Sequence, residues 1–259
     1  MTKGTVRVEV DGHIATMTLS RPEKLNALDL DMLLALSVAA DEVEQNADVR
    51  VAVLTGEGRG FSAGGDIRAW AGMQPQDFGH AWVRHGHRIF ERLATLRVPL
   101  IAALNGHALG GGLELAGVAD IRIAETHIKI GLPETGLGMI PGWSGTQRLV
   151  KRFGAQVVRR MALGGEIFTA DEACGLGIVD AVVASGGSVE AAKFYAERIV
   201  QRGPAAVEVA KLMIAVSSGE DNGTAVEALG SILVAKTEDL KEGVASFTQK
   251  RPAQFKGAW

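Results

Sequence analysis

The residue with the clearest chemical significance is an acidic side chain inside an apolar segment. Residues 98–119 are almost all apolar or glycine, and Glu114 lies among them. A carboxylate is seldom placed in apolar surroundings without a partner or a task, because the loss of hydration raises its free energy. Pro99, Asn105, His107 and several glycines interrupt the segment, which is a poor composition for a membrane-spanning helix. We therefore expect a buried strand, a turn and a buried helix that carries Glu114.

Three glycine-rich loops suggest a second chemical element. They cover residues 56–65, 106–112 and 136–145, each after a strand signal and before a helix signal. Phosphate binding is disfavoured, because neither Gly-Lys-Ser/Thr nor the spacing of a dinucleotide fingerprint occurs. An oxyanion hole fits better, since glycine lets a substrate carbonyl approach backbone N–H groups. For any single loop, close backbone packing is an equal alternative, but three similar placements favour a shared site.

The elements that position these loops alternate between strand and helix. Residues 5–10 and 13–19, around Asp11-Gly12, predict an opening β-hairpin. Asp29 is placed to cap a helix that extends to about Gln45, with an apolar stripe of Leu30, Leu33, Leu34, Val38 and Val43. Further strands are predicted at 49–55, 100–104, 121–124 and 127–130, and helices at 76–96 and 146–152. The recurrence of strand, glycine loop and helix indicates an α/β core of stacked ββα-like turns.

The character of the chain changes near residue 188. Strand signals stop there, and three helices are predicted at 188–202, 204–217 and 221–236. The first of them mixes apolar and charged residues, so it must pack on its own core or on another subunit. We predict two parts, a core of residues 1–187 and a helical region of residues 188–259.

Composition narrows the classes of function. With 33 glycines but only 7 prolines and 47% hydrophobic residues, the 259-residue chain is neither collagen-like nor disordered. Its 27 basic and 30 acidic residues give a net charge of −3, which argues against nucleic acid as a main partner. The single cysteine, Cys174, excludes an intrachain disulfide and a multi-cysteine metal site. Without an apolar signal-peptide core at the N-terminus, we expect a cytoplasmic location.

Four ordered motifs resemble the successive signatures of the enoyl-CoA hydratase/isomerase (crotonase) family. They are FSAGGDI from Phe61, NGHALGGGLE from Asn105, LPE from Leu132 and IPGWSGTQRL from Ile140. The resemblance extends from Arg21 to Pro252. It implies a crotonase-like spiral of repeated ββα units with a C-terminal helical trimerisation region, assembled as a homotrimer or a dimer of trimers. It also implies an acyl-CoA thioester substrate, with coenzyme A as part of the substrate and with no metal, redox cofactor or membrane partner.

The resemblance also assigns roles to residues near the glycine loops. The backbone N–H groups of Gly65 and Gly111 would form the oxyanion hole around the thioester oxygen. Asp66 is an N-cap candidate for the helix that follows it. Eight residues are expected to bind the substrate along the CoA path: Lys24, Leu25, Ser62, Ala63, Gly65, Asp66, Ile67 and Gly111. Lys24 and Leu25 are expected near the nucleotide end of CoA.

Both acidic positions of a hydratase are filled, by Glu114 and Glu134. By resemblance Glu114 is the base that accepts a proton as water attacks C3, and Glu134 is the acid that protonates C2. The predicted reaction is reversible hydration of a trans-2-enoyl-CoA to a 3-hydroxyacyl-CoA, with a thioester enolate held by the oxyanion hole. Two alternatives stay open: double-bond isomerisation by Glu134 alone, and a non-catalytic member of the fold that binds acyl-CoA or RNA.

One motif departs from the family pattern. Trp143-Ser144 stands where hydratases commonly carry small residues. The indole could reshape the acyl pocket, stack on an aromatic acyl group or pack outward. Among the histidines, His85 and His87 point to different faces of a helix and so are a poor metal site, and His107 is expected to pack under its loop.

Overall fold

The computed structural model describes residues 4–221 and 223–257. The chain forms two compact units, one that ends at Glu208 and one that begins at Val209. After the last strand, the purely helical region begins at Ser188, where the sequence analysis placed it. The first helix of that region, Ser188–Val200, nevertheless belongs to the first unit. The division between compact units therefore lies further along the chain than the predicted boundary of 187/188.

A six-stranded sheet organises the first unit. Its members in chain order are β1 (Thr5–Asp11), β2 (Ile14–Ser20), β3 (Val51–Gly56), β4 (Leu100–Leu104), β6 (Ile121–Glu125) and β9 (Ala181–Val183), and they are neighbours in the same order. The first two strands form the predicted antiparallel hairpin, and every later pairing is parallel. A smaller sheet contains β5 (Ala108–Leu109), β7 (Lys129–Gly131) and β8 (Ile167–Thr169), with β7 between the other two.

Helices follow most of these strands. In the first unit they are α1 (Leu30–Gln45), α2 (Ile67–Trp70), α3 (Pro75–Asp77), α4 (Arg84–Ala94), α5 (Gly111–Ala116), α6 (Arg148–Phe153), α7 (Ala155–Gly164), α8 (Ala170–Gly175) and α9 (Ser188–Val200). Helix α10 (Pro204–Ser217) crosses the division between units, and the second unit continues with α11 (Thr224–Ala235) and α12 (Glu238–Thr248). A π-helical segment, Phe78–Val83, joins α3 to α4, and short 3₁₀ turns occur at Pro22–Lys24 and Glu134–Leu137.

The central strands β3 and β4 are buried on both faces, as their uninterrupted apolar sequences require. Alternate residues enter two separate clusters: Leu54 and Leu100 join the main core, whereas Val53 and Ile101 face α9. Because successive side chains of a strand point to opposite faces, helices on both sides of the sheet complete the core. This layered arrangement fixes the strand ends from which the glycine loops emerge.

The apolar stripe predicted for α1 is partly wrong. Asp29 does cap the helix, accepting a hydrogen bond from the Met32 N–H. Leu34 and Val38, however, are 50% and 65% exposed. The buried face consists of Met32, Leu33, Leu36, Ala39, Ala40 and Val43. Since this helix carries apolar residues on more than one face, periodicity alone did not identify the face that meets the sheet.

Among residues 4–221 and 223–257, none of the helices combines the length and the apolar character that a membrane span requires.

Candidate active site

Two of the glycine loops meet backbone to backbone. The first ends near Gly65, and the second ends at Gly111, the first residue of α5. A Cβ atom placed on Gly111 would lie 3.2 Å from the nitrogen of Gly65, and one placed on Gly64 would lie 3.0 Å from the nitrogen of Gly111. Gly64 and Gly110 also have positive φ angles, 89° and 53°. The glycines therefore bring the N–H groups of Gly65 and Gly111 close to one another.

Neither of these two N–H groups is used inside the protein. Within the part of the chain that the structure describes, neither Gly65 nor Gly111 donates a backbone hydrogen bond to a protein acceptor. Backbone donors in the interior are nearly always paired. Two adjacent unpaired donors are thus suited to an oxygen atom that comes from outside the protein.

Hydrogen bonds hold the two loops together. The Ser62 N–H donates to the carbonyl of His107 at 3.3 Å, and the Leu109 N–H donates to the carbonyl of Ser62 at 3.5 Å. The Ser62 hydroxyl, which is fully buried, donates to the carbonyl of Asn26 at 2.9 Å. Asn26 in turn donates to the carbonyl of Gly60 at 2.7 Å. A buried hydrogen-bond network therefore holds the two loops together, and the glycines permit their close approach.

Glu114 is buried and oriented by a turn. Its side chain lies on α5 and is 3% exposed. Oε1 accepts hydrogen bonds from the N–H groups of Trp143 and Gly145, both at 2.7 Å. A Cβ atom on Gly145 would lie 2.8 Å from the same oxygen, so the turn closes on the carboxylate because this residue is glycine. The structure therefore contains the predicted buried helix, and Glu114 is buried on it.

Glu134 lies beside the second loop and lacks such support. It begins the 3₁₀ turn after β7. Both of its carboxyl oxygens are buried, and neither has a hydrogen-bond partner among the described residues. A Cβ atom on Gly110 would lie 3.0 Å from Oε1, which places this carboxyl group directly beside the loop. Buried polar atoms without a partner are rare, so this group is available to a water molecule or a substrate.

Both carboxyl groups have pKa values above the ordinary value. The pKa of Glu114 is raised to about 7: burial is the largest cause, the negative charge of Glu134 is the second, and the N–H groups of Trp143, Gly145 and Gly142 act in the opposite direction. Burial also raises the pKa of Glu134. The pair therefore retains a proton closer to neutral pH than two solvated glutamates would.

Both carboxyl groups and both glycine loops line a single cavity of about 490 Å³. Several of its walls were not predicted from the sequence. These residues come from α2, α4, the segment that joins these two helices and the third glycine loop: Trp70, Phe78, Trp82, Val83, His87, Leu137, Met139 and Ile140. The cavity is thus apolar around two acids and two free N–H groups, an arrangement typical of catalytic sites.

The comparison with known proteins identifies the family. Residues 9–258 match enoyl-CoA hydratase/isomerase. The chain belongs to this family. It is 38% identical over 256 residues to the short-chain-enoyl-CoA hydratase of Clostridium acetobutylicum, covering 97% of each chain. It is 36% identical over 258 residues to the (E)-benzylidenesuccinyl-CoA hydratase of Thauera aromatica, covering 98% of this chain and 99% of the relative.

Solved structures of this family have a similar fold. An enoyl-CoA hydratase from Bacillus anthracis superimposes with a TM-score of 0.79 at 36% identity, covering 98% of this chain and 99% of that chain. The predicted crotonase family and its α/β fold are therefore confirmed.

Of the residues assigned to the CoA path from the crotonase resemblance, four line the cavity. They are Ala63, Gly65, Ile67 and Gly111. Lys24 and Leu25 lie beside them rather than on the wall, since the Ala63 N–H donates to the carbonyl of Leu25 at 2.9 Å. The turn containing Leu25 thus borders the first glycine loop at the protein surface.

The other two CoA-path residues use their side chains inside the protein. The Ser62 hydroxyl is bound to the Asn26 carbonyl. Asp66 caps α2 through the Arg68 N–H and forms an ion pair with Arg21 at 2.9 Å. These side chains hold the loop, in line with the N-cap expected for Asp66. Contact between CoA and the assigned side chains stays a prediction. These are the side chains of Lys24, Leu25, Ser62, Ala63, Asp66 and Ile67.

Trp143 packs inward. Its indole is 3% exposed, and its ring centroid lies 5.1 Å from that of Trp82 and 5.2 Å from that of Phe90. The next residue, Ser144, has a positive φ of 84°, and its hydroxyl lies 3.3 Å from Nδ1 of His87. An outward-facing indole is therefore excluded, and the turn that binds Glu114 is anchored on α4.

The histidines do not form a metal centre. His107 is exposed, and its Nδ1 accepts a hydrogen bond from the Lys129 N–H at 2.9 Å, so the expectation that it packs under its loop was wrong. No cluster of three or more His, Cys, Asp or Glu residues suited to a metal ion occurs in the ranges 4–221 and 223–257.

Proposed function

We propose that this crotonase-family chain is an enoyl-CoA hydratase, which adds water reversibly to a trans-2-enoyl-CoA to give a 3-hydroxyacyl-CoA. The observation that carries the proposal is the placement of two buried carboxyl groups with raised pKa values in one apolar cavity, beside two free backbone N–H groups. Its relatives named as enoyl-CoA hydratases match this chain over nearly its whole length.

The two free N–H groups would bind the thioester oxygen. When water attacks C3, the electrons of the C2=C3 bond move toward the carbonyl, and negative charge develops on that oxygen. Donors from Gly65 and Gly111 stabilise this enolate, and a single such donor contributes about 10²- to 10³-fold in rate. Because the loops are fixed by buried hydrogen bonds, the donors need no reorganisation during the reaction.

The carboxyl groups would move the two protons. Glu114, ionised, accepts a proton from the water whose oxygen bonds to C3. Glu134, protonated, then delivers a proton to C2 as the enolate collapses. The support for this division is that Glu114 accepts two N–H hydrogen bonds, which oppose the effect of burial on its pKa, whereas no other residue donates to the buried oxygens of Glu134 among the described residues. After the cycle one proton has passed from Glu134 to Glu114, and exchange with solvent restores the pair.

Hydration neither oxidises nor reduces the substrate, so the proposal needs no electron carrier, and the acid, base and oxyanion donors all come from this chain. Coenzyme A enters as part of the substrate, along the path assigned to Lys24, Leu25 and the Ser62–Ile67 segment. A homotrimer or dimer of trimers and a cytoplasmic location complete the proposal.

The test is direct turnover. Purified protein is incubated with a panel of trans-2-enoyl-CoA thioesters, and the loss of absorbance of the conjugated double bond is followed together with chromatography of the product. We expect 3-hydroxyacyl-CoA from at least one substrate. Failure to consume any of them at micromolar enzyme would contradict the proposal.

Isomerisation is the second candidate, because one feature of Glu134 suits it. A buried carboxyl group with two unpartnered oxygens is able to take a proton from one carbon and return it to another. In that reaction Glu114 is dispensable. The effect of replacing Glu114 therefore separates the two candidates.

A further inference from the structure

The indole of Trp143 fills a slot that three glycines form. A Cβ atom on Gly86 would lie 2.3 Å from Nε1 of the indole, one on Gly111 would lie 2.8 Å from Cζ3, and one on Gly65 would lie 3.5 Å from Cη2. The three glycines belong to α4 and to the two oxyanion loops. The first two distances are too short for a real Cβ atom, so the indole occupies space that exists because Gly86 and Gly111 have no side chain, and Gly65 borders that space at ordinary contact distance.

Gly86 shows that the slot and the indole fit each other. Glycine is among the least favourable residues in a helix interior, and α4 contains only this one. Its position is where the indole packs, and a methyl group there would collide with Nε1, Cε2 and Cδ1 of Trp143. Helix α4 thus gives up local stability at the residue that makes room for the indole.

The indole also forms part of the wall of the active-site cavity, with packed aromatic rings around it. Trp143 and Trp82 both line it, yet they are only 3% and 4% exposed because they pack on each other, and Phe90 lies behind Trp143. Ring surface used for this packing is not offered to an aromatic acyl group. The backbone N–H of Trp143 meanwhile binds Oε1 of Glu114, so this part of the wall lies beside the proposed base.

We propose that Trp143 limits the length of the acyl group, so that the enzyme prefers short enoyl thioesters such as crotonyl-CoA to long ones such as trans-2-decenoyl-CoA. The inference rests on the proposed hydratase function and deepens it. Truncating the indole would extend the cavity from the oxyanion glycines toward Phe90. A long acyl chain would gain that space, whereas a crotonyl group would not need it.

The test compares kcat/KM for crotonyl-CoA and trans-2-decenoyl-CoA in the native chain, Trp143→Phe and Trp143→Ala. Each variant retains the N–H that binds Glu114. We expect the native chain to prefer crotonyl-CoA by about tenfold or more, and the decenoyl-to-crotonyl ratio to rise from native to Phe to Ala, by about tenfold or more in total. Phe168→Leu, which shortens a buried aromatic residue outside the cavity lining, is the control and should leave the ratio unchanged.

Several outcomes would overturn the inference while leaving the hydratase function intact. They are a native preference for the decenoyl substrate, a parallel loss of both activities with an unchanged ratio, and a preference for cinnamoyl-CoA that disappears in Trp143→Ala, which would indicate stacking. If Trp143→Ala does not fold, Trp143→Phe decides by the same ratio. If the native chain hydrates no member of the enoyl-CoA panel, the hydratase proposal itself fails, and binding of butyryl-CoA against decanoyl-CoA, measured by calorimetry, still tests the length limit in the same direction.

Discussion

At the scale of single residues, two glutamates with different surroundings account for the proposed chemistry. Glu114 is held by two backbone N–H groups, whereas the carboxyl oxygens of Glu134 are buried without a partner. Burial raises the pKa of both carboxyl groups, and at Glu114 the N–H groups of the glycine turn oppose that rise. Acid–base pairs in enzymes are separated by such environmental differences.

Replacing either glutamate should strongly slow hydration without unfolding the protein. In Glu114→Gln and Glu134→Gln we expect kcat for hydration to fall by about 10²- to 10⁴-fold, because each removes one proton transfer. The measurement is steady-state kinetics with crotonyl-CoA, with the exposed Glu9→Gln as the control. A Glu114→Gln variant that keeps most of its turnover, with a shifted double bond as product, would instead support the isomerase.

The raised pKa of Glu114 should make stability depend on pH. Between its ordinary value of 4.5 and about 7, the folded protein binds more protons at this site than the unfolded chain does. The free energy of unfolding therefore falls as the pH rises through that window. Glu114→Gln removes this contribution, so its stability relative to the native chain should increase by up to about 3 kcal/mol between pH ~4.5 and pH ~8.

Urea unfolding at a series of pH values measures this difference. Glu9→Gln should follow the native curve across the whole range. Parallel curves for Glu114→Gln and the native chain would show that the carboxyl group is not destabilised by burial.

The sequence identified both carboxylates but not the walls around them. Glu114 was conspicuous because it interrupts an apolar segment, and Glu134 was identified by a family motif. The cavity-lining positions of Trp82 and His87 carry no comparable signal. Which residues of a helix face a cavity depends on what packs against it, and this information is absent from a single sequence.

At the scale of elements, the π-helical segment Phe78–Val83 positions much of the cavity wall. A helix was predicted over 76–96, and the structure has one that is continued through this segment into α4. A π-helical turn changes the angular spacing of side chains, so a period of 3.6 residues does not assign faces correctly across it. Such segments occur often at functional sites, and here Phe78, Trp82 and Val83 line the cavity.

The packing of α4 on the third glycine loop supplies a prediction. Gly86→Ala should destabilise the native chain by about 1–3 kcal/mol, because the added methyl group collides with the indole of Trp143. In a Trp143→Ala background the collision is absent, and the same change should stabilise α4 by up to about 1 kcal/mol.

Urea denaturation of the four proteins in this double-mutant cycle measures the coupling. A Gly86→Ala effect of the same sign and size in both backgrounds would show that Gly86 does not serve the indole.

At the scale of the whole molecule, the second unit exposes many large apolar side chains, and exposed apolar patches often mark interaction sites. The exposed large side chains between Val209 and the end of the described chain are Met213, Ile214, Val226, Ile232, Leu233, Val234, Leu240, Val244, Phe247 and Phe255. This pattern supports the proposed self-association through the helical region.

Sedimentation should therefore show a homotrimer or a dimer of trimers. Phe247 is 86% exposed on α12, and Phe247→Glu should shift the population toward smaller species, because a charge would be buried in the interface. Circular dichroism of the variant checks that its helices remain. A native chain that sediments as a monomer would contradict the proposed assembly.

The α/β architecture was predictable because long strands and helices have clear periodicity. Between residues 154 and 187, the strands β8 and β9 and the helix α8 were not predicted, because they are short: the two strands have three residues each and the helix has six. Segments of this length contain less than two turns of a helix or two alternations of a strand. The C-terminal helix α12 was also missed, although Thr237 caps it through the Leu240 N–H.

The most direct test of the account is the fate of water in the reaction. Crotonyl-CoA is incubated with the native chain in oxygen-labelled water, and the product is analysed by mass spectrometry. We predict 3-hydroxybutyryl-CoA that carries the label at its 3-hydroxyl group, formed by the native chain and lost in Glu114→Gln. If the native chain forms no labelled 3-hydroxybutyryl-CoA, or forms only a product with a displaced double bond, the central claim is contradicted.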